Sequence, residues 1–455
     1  MSFVEELRWR GMLHDIMPGT EELLNKGMVS GYIGFDPTAD SLHVGSLAQI
    51  MTLIHFQRAG HKPFALVGGA TGMVGDPSGK SAERNLLSED VLQHNLDGIQ
   101  KQLEKFLDFD CGANSAQMVN NYDWFKDYTF LNFIRDVGKH ITVNYMMAKD
   151  SVKNRISGDT GMSFTEFTYQ LVQGYDFYYL WKHNNCALQM GGSDQWGNIV
   201  TGTELIRRKD AGEAYALTTQ LIKKSDGTKF GKTEGGNIWL DKNKTSVFDF
   251  YQFWFNTSDE DAKTYIRIFT LLEKNEIEQL EEEQTKAPHL RVLQKALAKD
   301  ITVRVHGENE YMLVQKNIEF SQNKNFQWAD LEGLTEKQFL QIFANSNKFF
   351  IQKNVVDGES NLFNNVVDFL NEVCLPVEAG VNKKLFESKG EIKRLIANGG
   401  LFINKFKVSI DDNVDSFYRM FDKYIFLQKG KKDSTLISIS NNPWEEMAKV
   451  KRALE

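Results

Sequence analysis

Apolar and polar positions follow two different periods along the chain, and each change of period marks an element. The apolar run at 32–35 predicts a buried strand, and the Asp-Pro pair at 36–37 ends it, because a residue before proline is pushed toward extended or turn geometry. Apolar residues at helical spacing from 42 to 54 then predict a helix buried on one face, with Asp40 or Ser41 as its cap. Phosphate groups bind readily at such a helix start, because free amides and the positive end of the helix dipole meet there.

The same alternation of strand and helix continues through residue 200. Residues 63–69 predict a second buried strand, parallel to the first because a helix ending near Gly60 lies between them. Residues 188–190 predict a third strand, and residues 5–13, 20–26, 86–107 and 163–181 predict helices. Strands joined by helices in this way indicate an α/β fold with a doubly wound parallel sheet.

The helix predicted at 163–181 carries a polar stripe. Tyr169, Gln173 and Asp176 stand at i, i+4 and i+7, so all three lie on one face of the helix. A polar stripe that meets solvent would have the same pattern. A phenol, an amide and a carboxylate on an otherwise apolar helix also suit the recognition of a small polar ligand.

Three loops carry further candidate chemistry. The glycine-rich loop at 68–84 contains Asp76 and two basic residues, and residues 191–199 follow a strand with glycines and polar groups that suit ribose and amino-acid recognition at a sheet crevice. The loop at 221–233 is rich in lysine and glycine, and Lys229 and Lys232 could close over a triphosphate. Taken alone, a run of lysines is more often a solvated loop.

Length and composition set the outer bounds. A chain of 455 residues predicts two to four domains, and 41% hydrophobic with 25% charged residues is ordinary for soluble globular protein. We expect neither a signal peptide nor a membrane span. The three cysteines, Cys111, Cys186 and Cys374, stand far apart, which favours a reducing cytoplasm without a disulfide or zinc framework.

Charge is unevenly distributed along the chain. The net charge of −8 argues against a wholly basic nucleic-acid binder. Residues 383–409, however, hold seven basic and two acidic side chains, a local net charge of +5, in a predicted basic helix, a Gly399-Gly400 turn and a strand pair. Phosphate contact is the natural use of such a patch.

Five motifs occur in the order typical of one family. They are HVGS at 43–46, GGATGMVGDPSGK at 68–80, SFTEFTYQLVQGYDF at 163–177, GGSDQWGNI at 191–199 and KFGKT at 229–233. In this order they resemble the bacterial-type tyrosyl-tRNA synthetases, which are class I aminoacyl-tRNA synthetases with an HxGH box and a KMSKS loop. Ser46 stands where the box has its second histidine, and it can bond a ribose or phosphate oxygen but carries no charge.

The resemblance implies three sets of residues in one site. Tyr32 and Asp176 would bond the phenolic hydroxyl of tyrosine, and the tyrosine-binding set is Tyr32, Asp76, Tyr169, Gln173, Asp176 and Gln195. The set that binds ATP and the adenylate is Gly34, Asp36, His43, Gly45, Ser46, Gly192, Asp194 and Lys232, with an adenine ring against the backbone at Gly45. The catalytic set, which holds the phosphates and the departing pyrophosphate, is Thr38, His43, Lys80, Arg84, Lys229, Lys232 and Thr233.

The resemblance also implies domains and partners. We expect a Rossmann-like catalytic domain at 1–240 with an insertion near 120–151, a helical anticodon-side domain at 241–350, a small α+β RNA-binding domain at 351–432 and a tail of unknown role at 433–455. The residues expected to bind tRNA(Tyr) are Lys389, Lys393, Arg394, Lys405 and Lys407. The apolar stripe at 130–147 predicts a homodimer contact.

The implied activity is that of a tyrosine–tRNA ligase. L-Tyrosine reacts with ATP, which brings Mg²⁺ with it, to give tyrosyl-adenylate, and tyrosine then passes to the 3′ end of tRNA(Tyr); no metal bound by the protein is expected. Two alternatives remain. An HxGH-type nucleotidylyltransferase would not need the polar stripe at 169–176 or an RNA-binding domain, and a catalytically idle RNA-binding protein would not need His43 and the lysine loop.

Overall fold

A computed structural model describes residues 1–78, 87–156, 161–228, 230–233, 236–322, 328–343, 346–352, 365–376, 382–430 and 433–454. The chain divides into two units, Met1–Gly307 and Glu308–Glu455. The domain borders expected at 240, 350 and 432 stay a prediction.

The first unit is organised around one sheet. Its strands are β1 (Leu13–Ile16), β2 (Ser30–Phe35), β3 (Lys62–Val67), β4 (Gln117–Asn120), β5 (Cys186–Gly192) and β6 (Tyr215–Thr219). Over the described residues their order is β1-β6-β5-β2-β3-β4, with β2 to β6 parallel to their neighbours and β1 antiparallel to β6. The predicted doubly wound parallel sheet is confirmed. The strand order reverses between β2 and β5, and α/β folds bind ligands at the carboxyl ends of the strands at such a point.

Helices connect these strands and continue after them. They are α1 (Phe3–Trp9), α2 (Thr20–Lys26), α3 (Leu47–Arg58), α4 (Thr71–Val74), α5 (Glu89–Leu103), α6 (Tyr122–Phe125), α7 (Phe130–Asp136), α8 (Val143–Met147), α9 (Asp150–Ile156), α10 (Phe164–Asn184), α11 (Trp196–Asp210), α12 (Val247–Phe255), α13 (Asp259–Phe269), α14 (Lys274–Lys286) and α15 (Val292–His306). A short hairpin, β7 (Lys232–Thr233) and β8 (Gly236–Asn237), precedes α12. The helix predicted at 5–13 is wrong in its second half, because the chain ends α1 at Trp9 and enters the edge strand β1.

Close packing fixes the helix that carries the polar stripe. Ser163 caps α10 by accepting a hydrogen bond from the amide of Glu166, and the carboxylate of Glu166 in turn accepts one from the amide of Ser163. Farther along, α10 lies against α11, and a Cβ on Gly202 would stand 2.8 Å from Cβ of Phe177. Glycine is therefore required there for the two helices to approach.

The second unit combines a sheet with short helices. Its helices are α16 (Glu308–Gln322), α17 (Glu336–Ile342), α18 (Val366–Glu372), α19 (Lys389–Ala397) and α20 (Pro443–Leu454), and its strands are β9 (Asn347–Gln352), β10 (Cys374–Pro376), β11 (Asn382–Lys384), β12 (Leu401–Ile403), β13 (Phe406–Lys407), β14 (Tyr424–Lys429) and β15 (Asp433–Ser440). Over the described residues the strand order is β11-β10-β9-β15-β14-β12-β13. The basic helix, the glycine turn and the strand pair predicted at 388–409 are confirmed as α19, β12 and β13. Residues 433–440, expected in a tail, form the strand β15 between β9 and β14.

Candidate active site

A cavity of about 310 Å³ opens at the carboxyl ends of β2 and β5, where the strand order reverses. It gathers residues from all three predicted sets: Tyr32, Gly34, Asp36, Thr38, His43, Gly45, Ser46, Asp76, Tyr169, Gln173, Asp176, Gly192, Asp194 and Gln195. Lys80, Arg84 and Lys229 lie outside the described residues, and Lys232 and Thr233 are described only as the backbone of β7. Residues as far apart in the sequence as Tyr32 and Gln195 thus meet in one cavity.

A phenol and a carboxyl group lie deepest in this cavity. Asp176 is 1% exposed, and its two carboxyl oxygens accept hydrogen bonds from Nδ2 of Asn121 at 3.0 Å and from Nε1 of Trp124 at 2.9 Å. Burial raises the pKa of Asp176 to about 8, against the two hydrogen bonds, which lower it. The hydroxyl of Tyr32 is also buried, and it has no hydrogen-bond partner among the described residues. A buried polar atom without a partner is costly in a folded protein, which makes this end of the cavity a recognition point.

The polar stripe of α10 faces the cavity as the helical spacing predicted. Oη of Tyr169 donates a 2.8 Å hydrogen bond to Asp36 at the end of β2, and Asp36 also accepts one from Oγ1 of Thr71 at 2.7 Å. The amide oxygen of Gln173 is buried and has no hydrogen-bond partner among the described side and main chains. The stripe is therefore not a solvated face. It lines the cavity wall from the mouth to Asp176.

Asp76 supplies a further carboxyl group to the cavity lining. Asp76 is buried, and it accepts hydrogen bonds from Nε2 of Gln195 at 2.8 Å and from the amide of Ser78 at 2.9 Å. Asn198 joins the same cluster through a 3.3 Å bond to Gln195. This network orients Asp76 and Gln195, both of which line the cavity, and supplies a fixed negative charge there.

The helix start at the cavity mouth differs from the prediction. Asp40 and Ser41 do not cap the helix, because Asp40 pairs with Lys244 at 2.7 Å and Ser41 bonds Gln102 and Leu42. A 3₁₀ turn, Val44–Ser46, precedes α3 instead, and Nδ1 of His43 accepts its cap hydrogen bond from the amide of Gly45 at 3.0 Å.

This cap also orients the His43 ring. Since Nδ1 accepts, a neutral imidazole carries its proton on Nε2, which is then a donor. A Cβ on Gly45 would stand 2.7 Å from Cε1 of His43, so the glycine makes room for the ring.

Backbone pairing brings the end of the lysine loop to this mouth. The amide of Val44 donates to the carbonyl of Ile238 at 2.9 Å, and a Cβ on Gly231 would stand 2.9 Å from Cγ2 of Val44. Phe230, between the two lysines, packs its ring at centroid distances of 5.0–5.7 Å against Phe253, Trp254, Tyr265 and Phe269. The loop is therefore anchored on both sides of Gly231, next to His43.

The five residues predicted to bind tRNA differ in their surroundings within the second unit. Lys389 pairs with Asp368 at 2.7 Å, and the amine of Lys405 donates to the carbonyl of Phe320, where burial lowers the lysine's pKa. Lys393, Arg394 and Lys407 are exposed and make no ion pair within the described ranges. Three of the five therefore present their charge to solvent.

Sequence reasoning missed several residues of the site. Asn121 and Trp124 hold Asp176 but stand 55 and 52 positions before it, and they follow β4, a strand that was not predicted. Gln49, Thr71 and Gln189 line the cavity without belonging to any predicted set. The signal that could have indicated Asn121 and Trp124 is that both are hydrogen-bond donors directly after a strand of the parallel sheet, β4.

Two negative findings concern the described residues alone. They contain no group of three or more His, Cys, Asp or Glu side chains placed to hold a metal ion. They also contain no helix with the length and apolar character needed to cross a membrane.

Comparison with known proteins agrees with this geometry. The family model described as class I tRNA synthetases (W and Y) matches residues 24–320. A tyrosine–tRNA ligase of Cytophaga hutchinsonii is 56% identical over 96% of this chain and 99% of its own length, and one of Bacteroides fragilis is 57% identical over 96% and 99%. A C-terminally truncated mitochondrial tyrosyl-tRNA synthetase of Aspergillus nidulans superimposes with a TM-score of 0.63 at 33% identity, over 70% of this chain and 94% of that one. The chain therefore belongs to the class I tRNA synthetases for tryptophan and tyrosine and, within them, to the tyrosyl-tRNA synthetases.

Proposed function

We propose that this chain activates L-tyrosine with ATP and transfers it to the 3′ end of tRNA(Tyr), as a tyrosine–tRNA ligase. The single observation that carries the proposal is the closed end of the cavity, where the unpartnered hydroxyl of Tyr32 and the carboxyl group of Asp176 lie together. A phenolic hydroxyl there can donate to one and accept from the other. The names of the similar ligases support the same substrate.

The structure around Asp176 favours tyrosine over phenylalanine. Asn121 and Trp124 both donate to the carboxyl oxygens, an arrangement that suits the ionised form. A bound tyrosine hydroxyl adds a third donor to that carboxylate. Phenylalanine would bury the same carboxylate without that donor, which is costly because a buried charged group loses more than a neutral one when it is left unpaired.

The other end of the amino acid lies toward the mouth in this arrangement. Asp76, with Tyr169 and Gln173, holds the ammonium group. The substrate carboxylate then points at the α-phosphorus of ATP. Its oxygen forms the new bond, pyrophosphate leaves, and the protein contributes alignment and charge stabilisation rather than a nucleophile.

The mouth holds the nucleotide. Gly34, Asp36, Gly192 and Asp194 line the adenylate position, with Gly45 and Ser46 at the start of α3. Thr38 and the Nε2 donor of His43 bind phosphate oxygens next to the positive end of α3. Lys80, Arg84, Lys229 and Lys232 neutralise pyrophosphate as it departs, and Thr233 donates a hydrogen bond to it. Mg²⁺ arrives on the phosphate oxygens of ATP.

The second unit binds tRNA in this proposal. Lys393, Arg394 and Lys407 contact phosphates directly, because their charges face solvent, whereas Lys389 and Lys405 first have to leave their present partners.

The state of the cysteines agrees with a cytoplasmic location for this proposed enzyme. Cys111 is exposed and forms no disulfide, and the cytoplasm keeps such thiols reduced.

We propose a homodimer through the helices at 130–147. Phe130, Leu131 and Val143 are more than half exposed, and Leu131 reaches 76%. Large apolar side chains grouped in this way mark an interaction surface. A second copy of the chain would cover them.

Charging of tRNA tests the proposed function. Purified protein with ATP and labelled tyrosine should load tRNA(Tyr) and leave tRNA(Trp) unloaded. Absence of loading with tyrosine would refute the proposal. The two alternatives, a nucleotidylyltransferase and an idle RNA-binding protein, predict no tyrosine-dependent loading, and the comparisons do not favour them.

A further inference from the structure

A rigid hairpin in the second unit presents an aromatic side chain to solvent. β12 and β13 are joined by Asn404 and Lys405, whose φ values of 51° and 69° lie in the left-handed region, as in the two-residue turns that link tight hairpins. Asn404 is buried. Its side chain accepts a 3.0 Å hydrogen bond from the amide of Phe426 and donates a 2.7 Å bond to the carbonyl of Tyr418. The turn is therefore fixed to two other segments of the unit.

Phe406 directly follows this turn and is 66% exposed. Its register partner across the hairpin, Ile403, is buried in the core, and so the core ends at the turn. The preceding Lys405 points its amine inward to Phe320, 4.4 Å from the centre of that ring. The Lys405 side chain thus packs against the protein and the Phe406 side chain is exposed to solvent, which is the reverse of the usual preference of lysine and phenylalanine.

Exposed positive charge follows Phe406 on the same hairpin. Lys407 reaches back over the turn that ends α19, and its Nζ lies 2.8 Å from the point where a Cβ on Gly399 would stand. Gly399 has φ of 60° and leaves space for that amine. The same helix carries Lys393 and Arg394, both exposed. The hairpin and the helix that precedes it therefore carry one exposed aromatic side chain and three exposed cations.

We propose that Phe406 stacks on an unpaired base of tRNA while Lys393, Arg394 and Lys407 bind neighbouring phosphates. The inference rests on the proposed function, which supplies the RNA. Aromatic side chains flanked by cations are the usual platform for unstacked bases, because every base has a face that can stack. A base paired inside a duplex has both faces covered, so the ring selects a loop or bulged nucleotide.

Salt dependence separates stacking from charge. Binding of full-length protein to tRNA(Tyr) is measured by fluorescence anisotropy at several salt concentrations. Phe406→Ala should weaken binding about 5- to 150-fold, the range that alanine substitution of stacking residues gives, without changing the slope of log Kd against log salt. Lys407→Ala should instead lower that slope by about 0.7, the value for one phosphate contact to an unpaired strand, because fewer counterions are released.

Three further variants complete the test. Phe406→Trp should bind as the wild type does, and Phe406→Leu should weaken binding as Ala does, since leucine is apolar but cannot stack. Ile410→Ala, at another exposed apolar residue of the unit, is the matched control and should bind normally. Wild-type affinity in either Phe406→Ala or Phe406→Leu would overturn the proposal.

The proposed function is tested apart from this. Tyrosine-dependent exchange of pyrophosphate into ATP by the wild-type protein reports on it without tRNA. If that exchange is absent, the proposed function fails; if exchange is present and Phe406→Ala binds tRNA normally, only the stacking inference fails.

Discussion

Replacement of Tyr32 by phenylalanine should weaken the recognition of tyrosine without lowering the stability of the protein. The change removes one hydroxyl that is buried and has no hydrogen-bond partner among the described residues, and it keeps the ring that packs edge-on against Phe177 at 5.6 Å. An unsatisfied buried polar group costs about 1–3 kcal/mol. The unliganded Tyr32→Phe protein should therefore be as stable as the wild type or more stable by up to that amount.

Tyrosine activation should respond in the opposite sense. The bound substrate loses one neutral hydrogen bond, about 0.5–1.5 kcal/mol, which corresponds to a fall of about 2- to 12-fold in kcat/KM for tyrosine. Activation of phenylalanine makes no use of that hydroxyl and should not fall. The variant therefore gains stability and loses discrimination together, a trade that is common at binding sites.

Urea unfolding and pyrophosphate exchange measure the two effects. The unfolding transition of the first unit is identified as the one that added tyrosine shifts. Tyr178→Phe is the matched control, because Oη of Tyr178 donates a 3.0 Å hydrogen bond to Asp210 outside the cavity. It should lower the unfolding free energy by about 1 kcal/mol and leave tyrosine kinetics unchanged. A Tyr32→Phe protein that is less stable than wild type, or that activates tyrosine normally, would refute the reasoning.

Three further predictions address pH, phosphate and assembly. Tyrosine affinity should rise by as much as tenfold per pH unit up to about pH 8, because the phenol donates to the ionised form of Asp176, whose pKa burial raises to about 8. Calorimetry at several pH values should show this dependence in the wild type and its loss in Asp176→Asn. A wild-type affinity that does not change with pH would count against this prediction. Lys229→Ala and Lys232→Ala should slow adenylate formation in stopped-flow measurements with little change in tyrosine affinity, because the contacts of the two lysines strengthen as charge develops on pyrophosphate. Weaker tyrosine binding at an unchanged rate of adenylate formation would contradict this. Sedimentation velocity should give a dimer for the wild type and a monomer for Leu131→Lys. Met28→Lys, at an exposed apolar position outside the segment 130–147, should stay dimeric. A monomeric wild type at micromolar concentration would refute the proposed interface.

The periodicity of the sequence predicted correctly those features that depend on a single element or on neighbouring elements. The spacing of Tyr169, Gln173 and Asp176 depends only on the helical period, and the structure places all three on the cavity wall. The parallel pairing of β2 and β3 follows from the helix between them and is confirmed residue by residue, from Ser30 beside Lys62 to Phe35 beside Val67. Their roles in binding remain predictions.

Contacts between distant segments were not predictable in this way. Asn121 and Trp124 reach Asp176 only because β4 adds to the sheet edge beside β3, and the apolar pattern of β4 is too short to identify. Asp40 has the right chemistry for a helix cap, but Lys244, 204 positions later, takes its carboxylate. Partners far away in the sequence decided both cases, and a single sequence contains no record of them.

Exchange of labelled pyrophosphate into ATP, run with each amino acid in turn, tests the central claim most directly. It requires only the cavity of the first unit and no tRNA. Exchange should be fast with tyrosine and far slower with phenylalanine and tryptophan, and exchange with tyrosine should fall in Asp176→Asn. Equal exchange with phenylalanine, or none with tyrosine, would contradict the assignment of Tyr32 and Asp176 as the pair that recognises the substrate hydroxyl.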